Sequence, residues 1–282
     1  LVKDIRDLPS LPTIALQVVD MMNDPRTTAS QLSRIISADQ GLAMRMLRIA
    51  NSAYYGFPRR IGTVNLAIVV LGFDALRSLT LSLSIGDTLA KWRDKVPFDY
   101  VEYWRHCVYS GIVSRMLSRK IGYRVPGEAF IAGVIHDVGK IILGAYYHDL
   151  FRKVKEKVEE EEIPVAEAEE EILGVDHGEI GGWLAEYWNL PHHISEAVSC
   201  HHHPEVAEQY PQLTALTHVG DWMVMEKETG WSGEMVQQPV SDYAWDKLRL
   251  HRLANGSPDV DYYMEMFDQE IEKADAFVEM LV

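Results

Sequence analysis

Cysteine is nearly absent from this chain: two residues in 282, Cys107 and Cys200, far apart in sequence. That excludes a disulfide-stapled scaffold and fits a reducing cytosol, so a cytoplasmic location is expected. Basic charge is also scarce. Lys and Arg together number 27 against 42 Asp and Glu, a net charge of -15. So acidic a chain repels polyphosphate and anionic lipid, which argues against a nucleic-acid or membrane partner. No unbroken apolar run approaches the roughly 18 residues of a membrane span. The opening stretch LVKDIRDLPSLPTIAL carries charges and prolines where a secretory signal needs an apolar core. Missing too is the two-residue alternation of half-buried strands. What is present is an ordinary apolar fraction, 47%, enough for a sizeable core.

That apolar content recurs with helical spacing. Leu11, Ile14, Ala15, Val18, Val19 and Met22 mark one helical face, stopped by NDP at 23–25. Leu32, Ile35 and Ile36 mark a second, and Leu42, Met46, Ile49, Ala50 and Ala53 a third. TVNLAIVVLG ends at Gly72, and DALRSLTLSLSIGDTLAKW reads as a buried helix. The expected fold class is all-α. Charge and Pro97 interrupt the pattern near 93–98 and divide the chain into an amino-terminal helical domain, 1–95, and a second domain, 96–282. The acidic run EKVEEEEIPVAEAEEEILG, 156–174, reads as a solvated helical connection broken by Pro164. Residues 229–260 are rich in Gly, Pro, Asp and Ser and predict long loops before a last helix.

One stretch resists a purely structural reading. AGVIHDVGKIIL, 132–143, places His136, Asp137 and Lys140 among apolar residues, and buried charge is costly unless it is paired or holds a metal. Candidate companions lie on apolar faces elsewhere. His201 follows Ile194, Ala197 and Val198 at i, i+3, i+4, i+7, with His202 beside it. His177 shares a face with Ile180 and Leu184. Asp221 shares one with Leu213, Thr217 and Val224, and His106 one with Tyr103, Val113 and Leu117. Taken singly, each has a bland explanation: a lone core histidine is usually a hydrogen-bonded structural residue, and a lone Asp221 an N-cap or ion pair. His148, His192, His193, His218 and His251 need nothing more than that. Convergence of imidazoles and carboxylates on one interior is different, because these are the groups that bind first-row divalent metals. A metal site inside a helical bundle is therefore expected. Lys140 is either a point charge for a substrate phosphate or a surface lysine.

These segments together resemble the HDOD family, a branch of the HD phosphohydrolase superfamily. LPSLPTIALQVVDMM, SQLSRIISADQGLAMRMLRIANSAYYG and AIVVLGFDALRSL resemble its opening helices, with the Asn51–Ser52 step typical of it. AFIAGVIHDVGKIIL, DHGEIGGWLAEYWNLP and CHHHPE follow in the family's order. The resemblance implies a signalling or regulatory output module. Set against the related HD-GYP phosphodiesterases, His106, His136, Asp137, His177, His201, His202 and Asp221 all fall on ligand positions. That implies two divalent transition metals with Asp137 bridging, iron or manganese by resemblance, with zinc or nickel able to replace them. Glu102 sits where some relatives carry a further carboxylate ligand, and Lys140 matches the lysine of the HD-x-G-K motif. The chain departs from HD-GYP after the paired histidines. In HHHPEVAEQYP, Tyr210 and Pro211 fall in register but Gln209 replaces the glycine. Cyclic-di-GMP hydrolysis is therefore not expected.

Two readings follow. In the first, the amino-terminal domain binds a signalling protein partner and the metal domain senses or supports. The segment Leu42 to Phe57, with its aromatic turn NSAYYGF, is the candidate surface, unless Tyr54, Tyr55 and Phe57 merely close the core. In the second, the chain is a metal-dependent phosphohydrolase, a phosphodiesterase for a nucleotide or other phosphoester, with Asp137 and Lys140 as its catalytic pair. An open coordination position beside the metal separates the two.

Overall fold

A computed structural model describes residues 8–281 apart from 25, 231, 232, 234, 235 and 238. The reading of residues 1–7 as no signal lies outside the described residues. So do Pro25 of the NDP stop and those five positions of the expected 229–260 loops. Among the described residues there is no strand, only an isolated bridge between Arg252 and Pro258, and the all-α expectation holds.

The first helices are α1 (Thr13–Asn23), α2 (Ala29–Ala38), α3 (Gln40–Ala50), α4 (Val64–Leu71) and α5 (Phe73–Leu89). Their starts are written in polar side chains. Thr28 and Gln31 form a reciprocal capping box on α2, Asp39 accepts from Leu42 N on α3, and Thr63 accepts from Leu66 N on α4. α5 is buried nearly all round. Its Thr80, Ser84 and Thr88 hydroxyls each donate to the carbonyl one turn back, which satisfies them without an outside partner.

A 3-10 segment, Ala90–Lys95, leads into α6 (Tyr100–Lys120), α7 (Pro126–Ile135) and α8 (Val138–Tyr146). Then come α9 (His148–Glu161), α10 (Val165–Leu173), α11 (His177–Tyr187) and α12 (His192–Ser199). α13 (Pro211–Glu226), the short α14 (Asp242–Lys247) and α15 (Val260–Leu281) complete the chain. α6, α7 and α13 form the centre, with α5 against α7, and α8 and α12 against α11. One hydrophobic cluster runs from Leu11 to Val278 through both halves of the chain. α7 and α8 together, 126–146, are long and apolar enough to cross a membrane by length and composition, but 89% of that window is buried inside the fold.

Close helix packing at the centre depends on glycine. A Cβ on Gly133 of α7 would lie 2.7 Å from the Cα of Gly111 on α6, so the two backbones touch directly. A Cβ on Gly139 of α8 would lie 1.9 Å from the carbonyl oxygen of His177, which is how the starts of α8 and α11 come together.

The acidic run corrects one expectation. Pro164 does separate α9 from α10, but the run is not simply solvated. Val165, Ala166, Ala168 and Glu169 of α10 are buried, Glu169 at 0% exposure. The turn after α3 divides as well. Tyr54 stacks on Phe277 and Tyr55 packs edge-on to it, whereas Phe57 is 41% exposed. Cys107 and Cys200 are both free thiols.

Candidate metal centre

Each element delivers one or two polar groups to a common interior. His106 comes from α6, His136 and Asp137 from the break between α7 and α8, and His177 from the first residue of α11. His201 and His202 follow α12, and Asp221 lies on α13. Of the seven, all but His202 are at most 5% exposed, and His202 is half-buried.

The groups form two triads. His106, His136 and Asp221 have donor atoms within 4.8 Å of one another, and so do His177, His201 and His202. Asp137 lies between them. Its Oδ1 is 3.0 Å from His177 Nε2, 3.5 Å from His136 Nε2 and 3.9 Å from His201 Nε2, while Oδ2 is 3.8 Å from His106 Nε2. All seven sequence-chosen ligand candidates are thus brought together. Glu102 is not: its carboxylate pairs with Arg105 at 3.2 Å and is partly exposed. Lys140 is not a surface lysine. It is buried, and its Nζ donates to Asp137 Oδ2 at 2.8 Å.

Hydrogen bonds fix which ring nitrogens face inward. A carbonyl only accepts, so His136 Nδ1, 2.7 Å from Gly133 O, carries the proton, and so does His201 Nδ1, 2.7 Å from Val198 O. His177 Nδ1 donates to Glu169 Oε2 at 2.6 Å. In the neutral rings every Nε2 lone pair then points into the centre. Two of these confront other lone pairs: His136 Nε2 faces Asp221 Oδ1 at 3.1 Å, and His177 Nε2 faces His202 Nε2 at 2.7 Å. A proton or a cation must lie between such pairs. His106 Nε2, 2.9 Å from Asp221 Oδ1 but off the hydrogen-bonding direction, is without a hydrogen bond. So are His201 Nε2 and Asp137 Oδ1. Buried orphaned donor atoms of one chemical kind, converging, are what a divalent metal satisfies.

The electrostatics follow. Burial opposes charge on every group. For Asp137, the His136, Lys140 and His177 charges outweigh it and hold the carboxyl well below the usual range; His136 and His106 do the same for Asp221. His136 is raised despite burial by Asp137 and Asp221, and His177 is pushed up to about 10 despite burial, chiefly by Glu169. His201 and His202 go the other way, well below the ordinary imidazole range, through burial and then neighbouring imidazoles.

Glu169 was not anticipated from sequence. It donates nothing to the centre directly, but it holds His177 at both Nδ1 and the backbone N–H, 2.7 Å away, and so sets the tautomer and aim of that ring. His218 plays a comparable part, bonding the carbonyl of His201 at 2.8 Å and the backbone N–H of Ser241 at 3.1 Å. His192, His193 and His251 belong to other surroundings: His192 and His193 lie near Tyr210, and His251 pairs with Asp259.

A cavity of about 290 Å³ reaches the centre from outside, lined by His202 and Asp221 together with Glu167, Glu170, His203 and Trp222. Among the described residues no Lys or Arg lines it. The loop 208–210 is held by Glu196, whose carboxylate accepts from the N–H groups of Glu208 at 3.1 Å and Gln209 at 3.0 Å.

The fold, the order of these elements and the composition of the centre define an HD-type helical domain. The HDOD domain model matches residues 8–204, and the chain belongs to the HDOD family. It is 26% identical to a Geobacter sulfurreducens HDOD domain protein of unknown function, with a TM-score of 0.83 over 100% of this chain and 95% of that one. A Shewanella amazonensis protein described as a candidate phosphohydrolase shares the fold, at 24% identity and TM-score 0.76 over 100% of this chain and 97% of that one. An uncharacterised Treponema pallidum protein is 27% identical over 211 residues, 74% of this chain but only 40% of that longer relative.

Proposed function

We propose that this chain is a regulatory output protein of signal transduction whose HD-type centre holds two divalent transition-metal ions. The observation that carries the metal reading is the pair of triads around Asp137, with orphaned His106, His201 and Asp137 atoms and two lone-pair confrontations. His106, His136 and Asp221 would hold one ion, His177, His201 and His202 the other, and Asp137 both. Iron or manganese fits the mixed imidazole and carboxylate set, as zinc or nickel would.

When bound, such ions supply Lewis acidity toward a phosphoryl group and lower the pKa of water. The chain's own residues bear on whether that capacity is used. Lys140 neutralises Asp137 from within the protein rather than standing in the cavity. The cavity carries Glu167 and Glu170 and, among the described residues, no Lys or Arg, so it repels a dianionic cyclic dinucleotide. The Glu196-held loop also lacks the glycine that would let backbone approach such a ligand. These features support regulation over cyclic-di-GMP cleavage.

A second reading has one observation in its favour. The cavity touches His202 and Asp221, one residue from each triad, so water and a small phosphoester have a path to the centre. Elemental analysis of protein purified without chelator, paired with turnover of cyclic-di-GMP and of a simple aryl phosphodiester, decides between them. The regulatory reading expects stoichiometric metal with no turnover of either compound above free-metal controls. Metal near zero overturns the metal centre. Turnover abolished by Asp137→Ala establishes the phosphohydrolase.

A further inference from the structure

A second depression lies far from the metal centre in sequence, between α3, the turn that follows it and the end of α15. It is lined by Met44, Leu47, Arg48, Ser52, Arg60 and Ile61, with Met280 closing one side. The volume is about 600 Å³. Its floor is apolar, and Met44 stands 60% exposed at its edge. Asn51 makes the walls rigid. Its side chain donates to Leu47 O at 2.6 Å and Ile61 O at 2.8 Å and accepts from Ile61 N at 2.7 Å, locking the turn 52–60 across its base.

Two arginines in this groove have no ion-pair partner among the described residues. Arg48 and Arg60 are exposed and pair with no carboxylate among the described residues, in a chain with 42 acidic side chains and a net charge of -15. By contrast Arg45, one turn before Arg48 on α3, is paired with Asp87. Ser52 is 7% exposed, and its hydroxyl has no hydrogen-bond partner. The tyrosines of the same turn do not compete for the groove. Tyr54 is drawn inward between Arg115 and Glu270, and Arg115 also reaches Tyr55.

We infer that this groove is a docking site for an acidic amphipathic helix of a partner protein. The apolar floor takes the partner's apolar face, as in helix-in-groove recognition. Arg48 and Arg60 take carboxylates on its flank. A positive rim on a strongly acidic protein selects acidic partners and rejects basic ones. The inference names the partner chemistry of the regulatory reading and rests on that reading only for the existence of a partner; it does not depend on the metal.

The test uses the full chain and a designed helical peptide of about 16 residues, long enough to hold an amphipathic face, with leucine on one side and glutamate on the other. A counterpart carries lysine for glutamate. Titration calorimetry is expected to show saturable binding of the glutamate peptide and none of the lysine peptide. The double variant Arg48→Glu, Arg60→Glu is expected to weaken binding about tenfold or more. Metal content, measured on the same samples, stays at the wild-type value whatever that value is, so loss of the metal reading and loss of this one are separately visible. The inference is overturned if the glutamate peptide does not bind, if both peptides bind alike or if the charge reversals have no effect. It is also overturned if inorganic phosphate displaces the peptide, which marks a small-anion site, or if sedimentation shows a dimer that the reversals abolish, which makes a second copy the occupant.

Discussion

The two halves of the candidate metal centre are built on different plans. The His106–His136–Asp221 half contains its own carboxylate, delivered by α13. The His177–His201–His202 half is all imidazole, and its negative charge comes from outside, from Asp137 on one side of His177 and Glu169 on the other. The imidazoles respond accordingly. His136, beside two carboxylates, and His177, beside Glu169, are raised against the cost of burial, whereas His201 is driven down by burial and then by His136 and His177, and His202 by burial and then by His201 and His177. One half would attract a cation by its own charge; the other depends on borrowed charge. Asp137 is the group common to both.

That asymmetry can be broken in graded steps. Asp137→Ala is expected to remove the shared ligand and empty both halves, taking metal content from about two ions per chain to near zero by elemental analysis. Asp221→Ala should cost only the half that owns that carboxylate, leaving about one ion; equal losses in the two variants would end the case for a shared Asp137. Glu169→Gln keeps a hydrogen-bond acceptor for His177 and removes the charge. It is expected to weaken the all-imidazole half alone by about tenfold in a competitive chelator titration. The smallest effect lies outside the centre and serves as its control. His193 is held down to about 4, first by burial and then by Arg77 and His192, with Glu128 at 3.4 Å. A depressed folded pKa means that the unfolded chain takes up the proton first. The stability contribution of neutral His193 is therefore complete above about 6.5 and is lost as pH falls toward 4. His193→Gln is expected to flatten the pH 7 to 5 loss of urea stability by about 1 kcal/mol, discounted for its partial exposure, without changing metal content.

Much of this was legible in the sequence for a simple reason. His106, His177, His201 and Asp221 each sit on a helical stripe of apolar residues, and a stripe fixes the direction of a side chain before any tertiary structure is known. The all-α class followed from the same periodicity. Glu169 was hidden by its company, a run of glutamates in which one more carboxylate carried no contrast. The signal was there nonetheless: Val165, Ala168, Glu169 and Ile172 stand at i, i+3, i+4 and i+7, which puts Glu169 on the inward face of α10. The burial of Lys140 was undecided because its spacing from Asp137 suits both a surface turn and an internal ion pair. The cavity beside His202 and the groove beside Ser52 could not be read at all. Each is formed by segments distant in sequence, residues 164–239 for one and 44–280 for the other, and spacing within a single helix carries no information on such meetings.

The contact between Gly111 and Gly133 has a consequence for the width of the candidate centre. Main chain touching main chain has no rotamer to give way, so the spacing of α6 and α7 is set by peptide atoms. His106 and His136, five and three residues from that contact, have ring centres 5.3 Å apart. Their half of the centre is therefore a gauge of nearly fixed width. Were ions held there, one of larger radius could not be admitted by spreading these helices, and the adjustment would fall to His201 and His202, which stand on the short stretch beyond α12. Size discrimination between ions would then fall to the first half.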